Sequence, residues 1–562
     1  MLIVSMLMVK IIGALFKIPL TTMLGGIGMG YFMTAYGLFN PIYSLSVAGF
    51  PVAVSKMVSG FVAKGQSGDA GRAARVALVL FSDIGLILST GIFLGADLFA
   101  EAVGNPKSAW AVKVIVPALF FGCISASVRG YYEGHRNMAP TAVAQTLEAL
   151  VKLGAGIGLA YYVLDRARYE FAAMGTVFGT VMGDAQQAEL AALPAAAAAA
   201  VVGVVFSTAV GACFLMLRRL IGGRLSEPKS RPTQGYGAIA GQLLLMAFPI
   251  ALSALAVNIT GIIDLISVMN RLDSAARTGL QLLLDSHKGA IPGYLGRGDI
   301  AGFLYGSYTG MAMTIFNIVP AFTTAFGTSA LPVISGYWIN GRQAQLRRTV
   351  ESVIRISAMI AIPAGLGICA LSEPILSFLF RSSPSEVAVS APLMSVMGIA
   401  VIFVALTPPI NSMLQAVGGV YYPVRFMFMG ATMKLISNAV LVSIPAVNIK
   451  GAPIGTLLCY GFTFAAGLIS LCSLTGASIG IGHTFLKPLA AGLVCAVSAQ
   501  VAFDTFFRLT GSYSMVVPAV AFGGIIYLIF ILLTKTIKKD DLIDIKNGHK
   551  VALLLAKYGF LG

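Results

Sequence analysis

Six basic residues stand inside long apolar stretches of this 562-residue chain: Lys10, Lys17, Lys56, Lys152, Arg355 and Lys434. A charge at the middle of a bilayer costs at least about 2.5–3.5 kcal/mol, so such side chains should face a protein interior or a wet cavity. Lys10 and Lys17 are two helical turns apart, which sets them on one helix face roughly 10 Å apart along its axis. Acids in the same kind of stretch are fewer: Asp83, Glu148 and Asp264. An interior richer in cations than in acids suits an anionic substrate such as a pyrophosphate. The candidate ligands are Lys10, Lys17, Lys56, Lys152 and Lys434.

Each has a plainer use as well. Lys56 and Arg355 fall near the ends of their stretches, where a long side chain can reach the surface. Glu148 precedes Lys152 by four residues, the favourable order for a pair within one helix. Lys434 has Gly430 at the matching position, which makes it the better ligand candidate. Asp264, in NITGIIDLISVMN near Asn258, suits either a coupling cation or an ion pair with one of the lysines; both remain open.

Catalytic chemistry finds little support, and the expectation is that the chain is not an enzyme. No GxxxxGK[ST] loop occurs, and Gly26-Ile27-Gly28-Met29-Gly30 reads as a short external turn. The six cysteines lie singly in apolar stretches without ligand spacing, as small packing residues. The four histidines fall in loops or the tail. No metal or cofactor is expected, so energy must come from a gradient, the membrane potential or removal of product.

The elements that position these residues follow from composition. Hydrophobic residues make up 57% of the chain, charged residues 11%, and mean hydropathy is +0.87. Soluble domains carry about 25% charged residues. A helix needs about 20 apolar residues to cross a bilayer, and about fourteen such runs occur: residues 2–24, 32–63, 76–100, 110–128, 140–164, 195–217, 239–269, 301–334, 350–371, 387–416, 423–447, 452–474, 485–507 and 514–533. The first is read as an uncleaved span. The predicted class is an all-α polytopic membrane protein.

Basic residues divide roughly two to one between the two sides, which places both termini in the cytoplasm by the positive-inside rule. The net charge of +16 then faces anionic lipid, and nucleic acid is not expected as a partner. Residues 184–200, rich in alanine, read as an external interfacial turn. The basic stretch 218–238 reads as a cytoplasmic linker between lobes 1–217 and 239–474, with residues 475–562 holding two last helices and a basic tail. PVAVSK (51–56) is echoed by PVIS (332–335), and Lys152 by Lys434, about half a chain apart. Such echoes suggest an internal duplication, the usual build of a transporter with its site between repeats. Pro41 and Pro51 in run two, and Pro320 and Pro332 in run eight, make those two runs the candidate moving parts.

VKIIGALFKIPLTTMLGGIGMGYF (9–32), AGFPVAVSKMVS (48–59), RGYYEGHRNMAPTAVAQTLEALVKL (129–153) and NSMLQAVGGVYYP (411–423) resemble the oligosaccharidyl-lipid flippases. The resemblance is to the stage V sporulation protein B and MurJ-like branch of the multidrug/oligosaccharidyl-lipid/polysaccharide (MOP) exporter superfamily. It runs over nearly the whole chain, and the 129–153 block is its most specific part. It implies two pseudo-symmetric six-helix lobes, two further C-terminal helices, alternating access and a lipid-linked cell-wall precursor as cargo, in a bacterial cytoplasmic membrane. Lys10 and Lys17 occupy the region where that branch has cavity arginines, whereas residues 308–310, where it has another, are neutral here. The implied partners are a polyprenyl-pyrophosphate-linked saccharide, membrane lipid and a monovalent cation at Asp264, with the chain acting as a monomer.

Two other readings compete with a flippase of lipid II-like or oligosaccharide precursors. A cation-coupled multidrug antiporter of the MATE type would have twelve spans and an acidic cavity. A membrane-embedded glycan polymerase or ligase would need a large external catalytic loop, and none stands out.

Overall fold

The computed structural model describes residues 2–44, 49–221 and 233–538. Most of the basic linker, residues 222–232, and the tail from residue 539 lie outside the described residues. Among the described residues the chain is nearly all helix. In order, the helices are Leu2–Ser44 (α1), Phe50–Ala63 (α2), Ser67–Ala102 (α3), Ala109–Ile115 (α4), Pro117–Gly134 (α5), Ala139–Met174 (α6), Ala185–Ile221 (α7), Tyr236–Thr278 (α8), Leu280–Ser286 (α9) and Arg297–Ser307 (α10). A π-helical turn, Tyr308–Ala312, leads into Met313–Phe316 (α11) and Ile318–Ile339 (α12). Then follow Gln343–Ala370 (α13), Ser372–Leu379 (α14), Pro384–Ala416 (α15), Tyr421–Leu441 (α16), Gly451–Thr475 (α17), Lys487–Thr510 (α18) and Val516–Leu533 (α19). The two short strands, Thr176–Val177 and Thr180–Val181, pair as a hairpin between α6 and α7.

Large apolar side chains stand exposed along these helices, Leu94, Leu98 and Leu245 among them. Helices apolar on every side belong in lipid. Among the described residues twelve helices are long and apolar enough to cross a membrane, and the chain is a multi-pass membrane protein. Two of the fourteen apolar runs have no separate place in that count. The first two runs share the helix Met8–Ser44, and the seventh lies in α8, of which the shorter stretch Tyr236–Phe248 is scored as apolar. Contacts divide the chain into two compact units. Unit 1 is Met1–Thr278 with Tyr294–Gly310, and unit 2 is Gly279–Gly293 with Met311–Gly562.

In unit 1, α1 is two arms. An unbroken helix would put Phe16 and Phe32 about 24 Å apart, yet their ring centroids are 6.0 Å apart. The chain reverses at Gly25, whose φ of 60° and ψ of −172° suit only glycine. The expected external turn over Gly26–Gly30 is therefore a single-residue reversal, and Gly26, Gly28 and Gly30 belong to the second arm.

Gly26 and Gly30 serve a helix crossing with α10. A Cβ on Gly30 would meet the carbonyl oxygen of Gly302 at 2.5 Å, and one on Gly306 would land on the backbone oxygen of Gly26 and nitrogen of Gly30. Small residues four apart on each helix allow this approach of backbone to backbone. Gly302 differs from Gly306, because a Cβ there meets nothing within 4 Å. Gly302→Ala should be neutral or stabilising by up to about 1 kcal/mol through helix propensity. Gly306→Ala should destabilise by about 1–3 kcal/mol, since backbone atoms cannot yield as a side chain does. Thermal unfolding of the purified protein in detergent checks the pair; equal midpoints would refute this account of the crossing.

The alanine-rich segment 184–200 is another departure from expectation. It is helical from Ala185, the first turns of α7, because alanine favours helix and its small side chains let α6 and α7 pack closely. Gly203 of α7 lies against the Gly156 backbone of α6. The described end of the linker is pinned to α3. Asp69 accepts hydrogen bonds from the backbone N–H groups of Thr233 (2.8 Å) and Gln234 (2.9 Å) and from the Thr233 hydroxyl (2.6 Å). Arg72 donates to the Gln234 carbonyl and stacks over Tyr236, 4.7 Å from its ring centre.

In unit 2, α15 packs against α12, α13 and α17. Gly327 of α12 fits against Pro409, where a Cβ would come within 2.8 Å of the proline Cα.

Candidate cation cluster in the first unit

Lys17 projects from the first arm of α1, and Lys152 from α6, which packs along α1. Lys152 meets Tyr36, on the second arm, and Lys17 acts on it electrostatically. The Lys152 ammonium donates to the Tyr36 hydroxyl at 3.0 Å. It also lies 4.7 Å from the Tyr36 ring centre and 5.0 Å from that of Phe16, within cation–π range of both. Lys10 and Lys17 act electrostatically on the same phenol, and Lys10 and Lys152 on Lys17. Lys152 is therefore bound directly to Tyr36, and Lys17 and Lys10 add positive charge to its electrostatic surroundings. Lys17, Lys152 and Tyr36 are half-buried, while Lys10 is exposed.

An aromatic column holds Tyr36 in place. Phe32 stacks on it at 5.6 Å, Phe39 follows at 5.9 Å, and Tyr43 stacks on Phe39 at 4.7 Å. These residues are three or four apart on one helical arm, the spacing that lines side chains on one face. The reversal at Gly25 carries Phe16 and Lys17 to that face.

The expected pairing of Glu148 with Lys152 does not occur. Glu148 is the ion-pair partner of Arg129 on α5, with side chains 15% and 4% exposed. A Cβ on Gly211 of α7 would fall on Glu148 Oε1, so the carboxylate fills the space that glycine leaves. Arg129, read from the sequence as a loop residue, is buried in the last turns of α5. Two tyrosines and a glutamate around it give that segment a polar look, and the only earlier signal was its place in the 129–153 block. Since Glu148 is engaged by Arg129, Lys152 is left to Tyr36.

The remaining candidates lie elsewhere. Lys56 is exposed on α2, consistent with a side chain reaching the surface. Arg355 does not reach out, being 3% exposed within α13. Lys434 is 2% exposed on α16 in unit 2. Asn438, one turn on, is fully buried, and a Cβ on Gly455 of α17 would meet its Oδ1 at 2.5 Å. Asp264 is 4% exposed on α8, with Thr260 and Ser267 buried on the same face, and acts on Tyr305 of α10. Asp83 is exposed on α3. Among the described residues no group of three or more His, Cys, Asp or Glu could hold a metal ion.

A helical membrane protein with a basic cluster between its spans belongs to a transport class, and comparison with known proteins sharpens this. The pattern of the family described as polysaccharide biosynthesis protein matches residues 1–186. That of the lipid II flippase MurJ matches residues 301–520. The chain is 23% identical over 543 residues to the lipid II flippase MurJ of Bacillus subtilis (strain 168), covering 92% of this chain and 91% of that protein. It is 21% identical over 543 residues to the stage V sporulation protein B of the same organism, covering 96% and 95%. Among solved structures it resembles a lipid II flippase MurJ in an inward closed conformation, with TM-score 0.64 and 13% identity over 94% of this chain and 98% of that one. An inward-facing multidrug resistance MATE family transporter of the MOP superfamily follows at TM-score 0.56 and 16% identity, over 83% and 99%. The fold is shared with both of these transporters. In sequence the chain is similar to MurJ and to the stage V sporulation protein B.

Proposed function

We propose that this chain is a flippase that moves a lipid-linked saccharide, a peptidoglycan precursor or a related polyprenyl-pyrophosphate-linked oligosaccharide, from the inner to the outer leaflet of a bacterial cytoplasmic membrane. The observation that carries the reading is the Lys152 ammonium held on the Tyr36 hydroxyl at 3.0 Å between membrane spans, with Lys17 and Lys10 acting electrostatically on the same phenol. A pyrophosphate needs several charge-assisted hydrogen bonds to leave water. Ammonium groups give them without fixing an orientation. The cluster holds the head, the polyprenyl tail stays in lipid, and alternating access carries the head across. In the second half of the chain the buried Lys434 is a separate candidate ligand, and Asp264 takes a coupling monovalent cation. Both termini face the cytoplasm, and the carrier works as a monomer.

The related antiporters share the fold, but a cluster of three lysines repels a cationic drug. Depleting the protein tests the reading, with the outer-leaflet precursor measured by a membrane-impermeant label. The expected result is loss of labelled precursor while the total lipid-linked pool is kept or rises. Unchanged labelling in cells lacking a redundant carrier would defeat it.

A further inference from the structure

The Tyr36 hydroxyl is placed unlike an ordinary packing phenol. Its hydrogen-bond partner is the Lys152 ammonium, at 3.0 Å. An ammonium has three donors and no acceptor, so the phenol oxygen must accept and its own hydrogen remains to be given. Lys17 and Lys10 act electrostatically on the same phenol, and added positive potential favours an incoming negative oxygen. Phe32, stacked at 5.6 Å, and Phe39, tilted at 5.9 Å, keep the ring from swinging away. Phe16 closes the far side of the ammonium at 5.0 Å.

We propose that Tyr36 is a specificity-determining residue for the anionic head of the cargo, donating its hydroxyl hydrogen to a phosphate oxygen while it holds Lys152 in place for the same group; this rests on the flippase reading above. Lysines alone would take any anion that reaches them. A phenol fixed against Lys152 adds a directed donor that a polyprenyl alcohol, or a head without phosphate, does not use. Without cargo the same oxygen keeps the Lys152 ammonium hydrogen-bonded, which lowers the cost of holding the site ready.

The test compares farnesyl pyrophosphate and farnesol as probes, binding to the full-length protein in detergent micelles. Wild type should prefer the pyrophosphate. Tyr36→Phe keeps the ring, its stacking and the cation–π face, and removes only the hydroxyl. It should weaken pyrophosphate binding about tenfold, leaving farnesol binding and the unfolding midpoint as in wild type. Lys152→Met should weaken pyrophosphate binding at least as much. Should Tyr36→Phe bind pyrophosphate like wild type while Lys152→Met does not, the Tyr36 role is wrong and the flippase reading stands. Equal weakening for both probes makes Tyr36 a packing residue and also overturns its role. A wild-type protein without preference for pyrophosphate over farnesol overturns the flippase reading itself.

Discussion

Replacing Arg129 with leucine should destabilise the protein by about 3–5 kcal/mol, among the largest single effects expected in unit 1. The guanidinium is 4% exposed and its Glu148 partner 15%. Removing it strands a carboxylate between α5, α6 and α7, where Gly211 leaves room for the Glu148 oxygens. The reverse change, Glu148→Leu, strands the guanidinium, whose Nε already has no hydrogen-bond partner among the described residues. Both single variants should unfold well below wild type in a thermal melt. The double variant, Arg129→Leu with Glu148→Leu, should recover much of the loss, because two apolar side chains need neither solvation nor each other's charge. If the double variant were as unstable as the sum of the singles, the pair would not be the unit that matters.

The same pair marks where the sequence could be read and where it could not. Long apolar runs are local, so most spans were legible from composition. Gly25 was not, because a one-residue reversal inside continuous helix-forming sequence leaves no polar gap. Alanine-rich 185–200 was misread for the opposite reason, since its composition resembles a surface segment while its small side chains pack α6 against α7. Lys10, Lys17 and Lys152 were legible as cations within spans because a charge in an apolar run is conspicuous. Their convergence was not, since it depends on the turn at Gly25 and on Tyr36, a residue type too common in membrane helices to stand out. Glu148 had two reachable cations, Lys152 on its own helix and Arg129 on the next. Sequence spacing favours the first, and tertiary packing chose the second.

Lys17→Met and Lys152→Met should lower the transport rate by about tenfold to a hundredfold each, the worth of one charge-assisted hydrogen bond to phosphate. Lys56→Met, at an exposed position of α2, should transport as wild type. The argument turns on the sign of the accompanying stability change. Lys152 and Lys10 both repel Lys17, so removing Lys17 or Lys152 relieves that repulsion and should leave the unfolding midpoint unchanged or raise it. Arg129→Leu has the opposite signature, a large loss of stability whatever it does to transport. A residue kept despite its cost to the fold is kept for a ligand, whereas a residue whose loss collapses the fold need not touch one. Rates come from reconstituted vesicles with a fluorescent polyprenyl-pyrophosphate probe, and midpoints from the same preparations. If Lys17→Met and Lys152→Met carried the probe at the wild-type rate, the cluster would be no cargo site. If instead they melted as low as Arg129→Leu, the lysines would belong to the scaffold.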